Sequence, residues 1–534
     1  MIERILTVGG FTLVSRLTGF LRDIMLAAIL GAGPVADAFF VAFRLPNHFR
    51  AIFAEGAFNA AFIPAYARIR TQSGAQSAGV FGDRIFTLLL ATQLVLLALA
   101  LIFTPQVIEL LAPGFSREPQ QFQLAVSLTR ITFPYLLLIT LVTLWGGILN
   151  ALHRFAAAAA APILLNLAMM ATLATTGFFG GAGYAAAWGV LISGVLQALL
   201  VGGDTLRAGA FTVWRALRLD ADVRRFFTAL IPATIGSDGT QLALFADTII
   251  ASFLAAGAIS ALYYADRIDQ LPIGVIGIAV GTVLLPEMTH RVAAGDHDAA
   301  RSGQNRAIEF ALILAIPCIV AFLAVPDVIM RGLFVRGRFT AGDAQAAATT
   351  LMAYTVGLVP FVLIRSVVAP FLARGDTLIP MKAALIGTAV NIVFKVILMG
   401  PLAQVGLALA TSIGAWINFI LVVYLAARAG HLAADATLKA SLIKLAAAGL
   451  ALALLLFLAT PLVHSLFASW PRFRNEAELI MLALLGGALY GALVFVLFGR
   501  RWLSLMRERA RTATGAPLDA FEGTAPPPAG PDEQ

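Results

Sequence analysis

Apolar runs of about twenty residues recur along most of this chain, and their length decides what it can fold into. A helix that crosses the hydrocarbon core of a bilayer needs about 20 mostly apolar residues. About fourteen such runs occur, the first centred near residue 18 and the last near residue 488. Because 60% of the residues are hydrophobic and only 12% are charged, an ordinary soluble globule is excluded. The chain is therefore predicted to be an all-α polytopic membrane protein with about 14 transmembrane helices.

The basic residues predict the orientation of these helices. If both termini are cytoplasmic, 23 of the 37 lysines and arginines fall in cytoplasmic connections or ends, six fall on the other side and eight lie inside predicted helices. The positive-inside rule predicts this asymmetry. The net charge of +8 is therefore a signature of topology, and nucleic-acid binding has no support.

Two stretches of the chain match each other and predict a repeat. Residues 30–44 (LGAGPVADAFFVAFR) can be laid on residues 254–268 (LAAGAISALYYADRI). An offset of six helices keeps both halves in the same orientation, as in transporters whose lobes rock around a substrate held between them. We therefore expect two six-helix lobes in a parallel pseudo-twofold repeat, two additional helices and a disordered cytoplasmic tail. The expected boundaries are 1–218, 219–432, 433–502 and 503–534.

Charged residues inside the apolar runs mark the candidate site. A charge near the centre of a membrane helix costs about 2.5–3.5 kcal/mol even on the lenient insertion scale, so such residues face protein or a water-filled cavity. Arginine suits phosphate, because its planar fork contacts two oxygens and stays charged in a dry site. Several intramembrane arginines therefore predict an anionic substrate, with phosphate or pyrophosphate as the leading candidate. The residues that we assign to the cavity or its gates are Asp23, Asp37, Glu55, Asp266 and Arg365.

Two hypotheses describe how the cavity would work. Arg22, Asp23 and Asp37 are expected to form an ion-pair set, in which the carboxylates neutralise the arginine until an anionic substrate displaces them. Gly33 and Gly257 occupy corresponding places in the repeat. The bend of Gly31, Gly33 and Pro34 in the first half and the bend at Gly257 in the second half are expected to seal the cavity on the outside.

Six motifs occur in a characteristic order and spacing: SRLTGFLRD, LGAGPVADAFFVAFRLPNHFRAIFAEGAFNAAFIPAYA, APGF, ITFPYLLL, LNALHRF and YYADRI. Through them the chain resembles the MviN/MurJ family of lipid II flippases over nearly all of residues 1–505. The resemblance implies a transporter of the bacterial inner membrane, not an enzyme. It would move lipid II, the undecaprenyl-pyrophosphate-linked disaccharide pentapeptide of peptidoglycan, from the cytoplasmic to the periplasmic leaflet by alternating access. The two additional helices would help to form a groove for the lipid tail.

The resemblance also implies roles for individual residues. The essential arginines of the family fall on Arg16 and Arg22 of SRLTGFLRD, Arg50 of NHFRAIFAEG and Arg267 of YYADRI. Its acidic cavity residues fall on Asp37 of VADAFF and Glu55 of AEGAF. These arginines are the expected substrate-binding residues, and no catalytic residue or metal site is expected.

Some members of the family hold a sodium ion at positions that correspond here to Asp238, Asn391 and Thr411. Lys395 follows Asn391 by one helical turn and stands where an acid would help to hold the cation, which argues against sodium. No cofactor is expected, and coupling to the membrane potential or to an ion gradient stays open. The expected partners are lipid II and membrane lipids, and a contact with the cell-wall synthesis machinery stays open.

Two alternatives to lipid II flipping remain at this stage. An exporter of another polyprenyl-pyrophosphate-linked glycan would share the same arginines. An intramembrane polyprenyl-phosphate transferase would also bind a pyrophosphate, but it is expected to cluster acids around a metal, whereas the clearest pair here is Asp266 and Asp269 on either side of an arginine. The motif G-x-x-x-x-G-K-[ST] is missing from the sequence, so ATP is not the direct energy source.

Overall fold

The computed structural model describes the backbone of residues 2–514, apart from residues 56, 217, 219, 238 and 471. Within that part of the chain all regular structure is helical and no β-strand occurs. Its α-helices are α1 (Ile2–Leu30), α2 (Pro34–Glu55), α3 (Ala57–Ile102), α4 (Thr104–Leu111), α5 (Pro119–Thr132), α6 (Pro134–Ala151), α7 (Ala156–Ala174), α8 (Ala182–Arg207), α9 (Ala221–Ser237), α10 (Gly239–Ala251), α11 (Ala258–Pro272), α12 (Ile278–Ala293), α13 (His297–Ala324), α14 (Pro326–Phe334), α15 (Ala341–Thr355), α16 (Leu358–Leu372), α17 (Leu378–Arg428), α18 (Ala436–Leu466) and α19 (Arg474–Thr514). Short 3-10 helices lie at Pro113–Arg117 and Thr176–Phe178, and a π-helix at Ile273–Gly277 joins α11 to α12.

The helices confirm the predicted fold class of an all-α polytopic membrane protein. Nine helices in the described part of the chain are long and apolar enough to cross a membrane. Two of them, α3 and α17, contain a residue with a non-helical backbone, Gly74 (φ 86°, ψ 170°) and Ala403 (φ 48°, ψ −130°), so each consists of two helices joined by a sharp bend. The count of fourteen transmembrane helices stays a prediction.

A left-handed glycine occurs in each of the two bends that the repeat contains. Gly31 has a φ of 73° and Gly257 a φ of 92°, a backbone region that glycine adopts without the steric cost that other residues carry. Pro34 then occupies the first position of α2, where its missing N–H group costs no helical hydrogen bond. Each of the two matched bends therefore contains a left-handed glycine and opens into a helix, although these glycines differ by two positions in the repeat.

Small residues let the helices approach closely in the core. In the first half α7 packs against α1 and α8, and in the second half α11 packs against α15. Gly189 of α8 lies so near α7 that an added Cβ would stand 2.8 Å from Cα of Met169. Close backbone contact of this kind is how helices associate within membranes, where apolar burial alone does not drive them together.

The predicted divisions of the chain fall between helices. The boundary at 218 lies in the connection between α8 and α9, and the boundary at 432 lies in the connection between α17 and α18. The division into two six-helix lobes itself stays a prediction. The last two helices pack against each other, α18 also against α13, and α19 also against α14.

The predicted start of the disordered tail at residue 503 is too early. The backbone of α19 continues to Thr514, because the sequence after 502 is rich in leucine, methionine, arginine and glutamate, which favour helix, and has no glycine or proline before Gly515. Residues 515–534 lie outside the described part of the chain.

Candidate substrate cavity

A cavity of about 900 Å³ lies between the two halves of the chain, among α1, α2, α6 and α7 on one side and α10, α11 and α15 on the other. Four arginines and three carboxylates contribute to its wall. These charged residues are Arg16, Arg22, Asp23, Arg44, Asp247, Asp266 and Arg267. Arg16, Arg22, Asp23, Asp266 and Arg267 were predicted for such a cavity from the sequence, and all five line it.

Arg22 and Asp23 form the buried ion pair of this wall. The Arg22 Nε and Nη2 atoms donate to Asp23 Oδ1 at 3.0 and 2.7 Å, and Nη1 donates to Asn166 Oδ1 of α7 at 3.0 Å. Asn166 in turn donates to the carbonyl of Ser15 at 3.0 Å. Both charged residues are almost fully buried, so the pair and its hydrogen bonds fix the Arg22 guanidinium against α7.

Tyr263 joins this pair to Arg267 on α11. Its hydroxyl donates to Asp23 Oδ1 at 3.0 Å, and the guanidinium carbon of Arg267 lies 4.9 Å from the centre of its ring. The Tyr263 ring also stacks on the ring of Phe40 in α2, with centroids 4.0 Å apart. In the described part of the chain Arg267 has no carboxylate within 4 Å. Its charge is therefore held by a ring face and remains available to an anion.

Arg16 also reaches the cavity without a carboxylate partner among the described residues. Its guanidinium packs on the π-helix after α11, where an added Cβ on Gly274 would stand 2.8 Å from Nη1. Glycine at this position therefore permits the close approach of the arginine to the backbone.

The expected ion-pair set of Arg22, Asp23 and Asp37 is only partly formed. Arg22 pairs with Asp23, whereas Asp37 binds elsewhere. Its Oδ2 accepts from the backbone N–H of Gly257 at 2.6 Å, and Oδ1 accepts from the backbone N–H and the hydroxyl of Ser260 at 2.9 and 2.5 Å. Gly257 is the N-cap residue of α11 and Ser260 lies in its first turn. The carboxylate of α2 therefore caps a helix of the other half, because the free N–H groups at a helix start attract an anion.

Three contacts between the halves close one end of the cavity, which we call the sealed end. Besides the Asp37 cap, the Gly114 amide donates to the hydroxyl of Ser252 at 3.0 Å, and the Arg338 amide donates to the carbonyl of Ala28 at 2.8 Å. The carbonyl of Ala32 lies 3.5 Å from the position of a Cβ added to Gly257. The two glycine bends that were expected to form a gate therefore lie in contact.

Lys395 forms the second buried ion pair. Its ammonium, fully buried on α17, pairs with Asp247 of α10, which lines the cavity. Asn391 is buried one turn away, and its Oδ1 has no hydrogen-bond partner among the residues that the structure describes. The Thr411 hydroxyl donates to the carbonyl of Leu407 on its own helix at 3.1 Å. A lysine ammonium therefore occupies the region of the expected sodium ligands.

The remaining predicted residues lie elsewhere or are undescribed. Arg365 of α16 does not line the cavity; it packs against α12, where its Cδ lies 3.2 Å from a Cβ added to Gly281. The side chains of Arg50 and Glu55, and the whole of Asp238, lie outside the described part of the chain. Within that part, no group of three or more histidine, cysteine or acidic residues is placed to hold a metal ion.

Two cavity residues were missed by the sequence prediction. Asn166 binds Arg22, and Tyr263 binds both Asp23 and Arg267. The signal for Asn166 is its isolation as a polar residue in the apolar stretch PILLNLAMM, because an amide at that depth needs a partner. Tyr263 lies within YYADRI, but its role depends on the approach of α1 and α2, which no local pattern gives.

Known proteins are similar to this chain in sequence. A sequence model of the family described as "Lipid II flippase MurJ" matches residues 26–472. The chain is 39% identical to the "Probable lipid II flippase MurJ" of Rhizobium meliloti, over 98% of this chain and 99% of that protein. It is 34% identical to the "Lipid II flippase MurJ" of Burkholderia cenocepacia, over 79% and 83%.

Solved structures share the fold. The structure "Lipid II flippase MurJ, inward closed conformation" superposes with a TM-score of 0.78 at 23% identity, covering 92% of this chain and 99% of that one. An inward-facing multidrug resistance MATE family transporter of the MOP superfamily superposes with a TM-score of 0.65 at 16% identity, covering 81% and 98%.

Proposed function

Because this chain belongs to the MurJ family of lipid II flippases, we propose that it moves lipid II from the cytoplasmic to the periplasmic leaflet of the bacterial inner membrane by alternating access. The family consists of transporters, so the transferase alternative no longer stands.

The observation that carries this proposal is the pair of available cations in the cavity. Arg16 from α1 and Arg267 from α11 both line the cavity, and neither has a carboxylate within 4 Å in the described part of the chain. They come from opposite halves of the molecule. A pyrophosphate bound to both would therefore draw the two halves together, as a transporter that moves between two conformations requires.

Arg22 has a structural role in the cavity wall. Its guanidinium already makes three hydrogen bonds, two of them to Asp23, so it holds the wall in shape and contributes positive charge without needing the substrate. Removing it would leave the Asp23 carboxylate buried without its cation, at a cost of about 3–5 kcal/mol. We therefore assign direct pyrophosphate contact to Arg16 and Arg267, and wall formation to Arg22.

The orientation of the molecule is also part of the proposal. We place both termini and the open end of the cavity in the cytoplasm, because the connections on that side carry most of the basic residues. The sealed end then faces the periplasm. The rest of the cycle is opening of this end and closure of the other, driven by the membrane potential or by an ion gradient.

The additional helices supply a surface for the lipid tail. Leu450 and Phe457 of α18 and Val496 of α19 each expose about three quarters of their side chains, as residues in contact with lipid do. We propose that the undecaprenyl chain lies along these helices while the headgroup enters the cavity. A related polyprenyl-pyrophosphate-linked glycan remains the alternative cargo, and contact with the cell-wall synthesis machinery remains a further proposal.

Depletion of the protein in its native host, with leaflet-resolved measurement of lipid II, tests the function. We expect lipid II to accumulate in the cytoplasmic leaflet and wild-type protein to restore its distribution. Arg267→Ala should fail to restore it although the protein reaches the membrane in normal amount, and Arg267→Lys should restore it in part, since lysine keeps the charge without the planar fork.

Arg428→Ala is the matched control, because Arg428 is exposed at the end of α17 and does not line the substrate cavity. It should restore lipid II distribution fully. An unchanged distribution after depletion, with no second flippase in the host, contradicts the function. Full rescue by Arg267→Ala contradicts the role given to this arginine.

A further inference from the structure

A second cavity, of about 310 Å³, lies at the end of the molecule opposite the sealed end. It is formed where α12 ends, α13 begins, and α16 and α17 end. None of its wall residues lines the substrate cavity. It is therefore a separate site, built entirely from the second half of the chain.

Its wall is basic. The titratable side chains that line it are those of His297, Arg301, Arg374 and His431, and the wall includes no carboxylate. Two acids outside the wall act on its residues, Asp298 on Arg301 and Asp376 on His431. Asp298 pairs with Arg301 at 2.9 Å but is itself 94% exposed, and Asp376 accepts from backbone amides at the start of α17.

Arg374 is the wall residue with the least compensation. Its Nη1 donates to the carbonyl of Pro370 at 2.9 Å, and in the described part of the chain it has no carboxylate within 4 Å. Neighbouring arginines on the same side of the protein differ, since Arg291 pairs with Glu287 and Arg306 pairs with Asp435. The positive-inside rule explains why arginines occur on this side of the membrane. It does not explain why Arg374 lines a cavity whose wall has no carboxylate.

The electrostatic state of His431 supports a positive potential in this cavity. Burial lowers the pKa of the His431 imidazole, and the positive charge of Arg374 and the neighbouring His297 lower it further, against a smaller opposing effect of Asp376. The ring lies edge-on against Phe371, with centroids 5.8 Å apart, which holds it in the wall. An additional cation is therefore disfavoured here and an anion is favoured.

We propose that this second cavity binds a phosphate group through Arg374, Arg301 and His431. The phosphate belongs either to the headgroup of an anionic membrane lipid or to a free phosphate ion. The volume equals that of roughly ten water molecules at ~30 Å³ each, more than a bare phosphate needs. Basic pockets between helix ends at the cytoplasmic surface are known places for anionic headgroups, and arginine supplies the paired donors that phosphate accepts.

The test uses the purified full-length protein and two phosphate sources. In the first arm, binding of inorganic phosphate is measured by calorimetry and by the titration of His431 followed by NMR. We expect saturable binding that raises the pKa of His431, because a bound anion stabilises the imidazolium. In the second arm, the melting temperature is compared in phosphatidylglycerol vesicles and in phosphatidylcholine vesicles.

Variants connect both arms to the cavity. Arg374→Gln should weaken phosphate binding about tenfold or more, as expected for loss of a charged hydrogen bond, and should abolish any gain in melting temperature from phosphatidylglycerol. His431→Gln provides a second variant with a smaller change in charge. Arg428→Gln, one residue before the wall residue Ala429 but exposed, should leave both measurements unchanged.

The outcomes separate the two sources. A phosphatidylglycerol effect that is lost in Arg374→Gln assigns the site to a lipid headgroup, whereas saturable inorganic phosphate binding without a lipid effect assigns it to a free ion. The proposal is overturned if neither source binds, or if binding persists in both Arg374→Gln and His431→Gln. Because no readout involves lipid II, failure here leaves the flippase proposal untouched.

Discussion

At the scale of single residues, Lys395 carries a charge in a fully buried position, where an unpaired charge would destabilise the protein. An ammonium with no exposed surface is stable only with an opposite charge beside it. Asp247 supplies that charge from α10 and stands at the edge of the cavity. The pair therefore connects the cavity wall to α17, and neither residue can change alone without leaving a buried charge.

We expect Lys395→Met to destabilise the protein by about 3–5 kcal/mol, since it leaves the Asp247 carboxylate unpaired in a partly buried position. The double variant Lys395→Met/Asp247→Asn should recover most of this loss, because both charges are then removed. Thermal unfolding of the purified variants, with Asp247→Asn alone to complete the cycle, measures the coupling. Losses that simply add in the double variant would show that the two residues do not stabilise each other.

The sequence predicted the cavity residues better than it predicted their partners. Arg16, Arg22 and Arg267 could be named because arginines are conspicuous in apolar helices and lie in recognisable motifs. The partner of Asp37 could not be named, because Gly257 and Ser260 bind it through backbone N–H groups more than 200 positions along the chain. Sequence patterns reveal side-chain chemistry but not which free helix terminus a carboxylate will meet.

At the scale of elements, short connections rather than long helices hold the sealed end together. The 3-10 helix Pro113–Arg117 lies against the end of α10, where the Gly114 amide donates to Ser252. A Cβ added to Gly114 would overlap the carbonyl group of Ser252. Since backbone atoms cannot rotate away as a side chain can, the contact requires glycine at this position.

Gly114→Ala should therefore force the 3-10 helix away from α10 and weaken the sealed state. We expect a lower melting temperature and faster labelling of a cysteine introduced at Ala32 by a water-soluble thiol reagent, in a background where Cys318 is replaced by alanine. Gly177→Ala is the control, because a Cβ there meets nothing within 4 Å. Equal labelling of the two glycine variants would show that the contact at Gly114 does not help to close this end.

The apolar runs predicted most helices at this scale, because a bilayer demands a fixed length of apolar residues. They also separate the two halves of α17, which meet at the bend of Ala403, but they did not predict the π-helix after α11. The π-helix packs against α13 and α16 and lies beneath the Arg16 guanidinium, and no local pattern gives these contacts between distant parts of the chain.

At the scale of the whole molecule, the two glycine bends meet across the divide between the halves. The contact between Ala32 and Gly257 predicts that cysteines at Ala32 and Ala256, in a Cys318→Ala background, form a disulfide in the state described here. The crosslink should block lipid II transport, and reduction should restore it. Each single-cysteine variant serves as the control for labelling and activity.

Transport that continues at a normal rate after complete crosslinking would show that these bends need not part. Failure to crosslink, with both cysteines reactive, would show that the protein in the membrane does not occupy the sealed state.

The Asp37 cap makes the first turn of α11 a reporter of the motion. While the halves are joined, the amide hydrogens of Gly257 and Ser260 are bonded to a nearly inaccessible carboxylate and are shielded from exchange with deuterium. Each separation of the halves leaves α11 without its cap, a loss worth about 0.5–2 kcal/mol to a helix, and exposes the same two hydrogens to water. Their exchange rate therefore counts the openings of the sealed end, with no probe attached and no residue replaced.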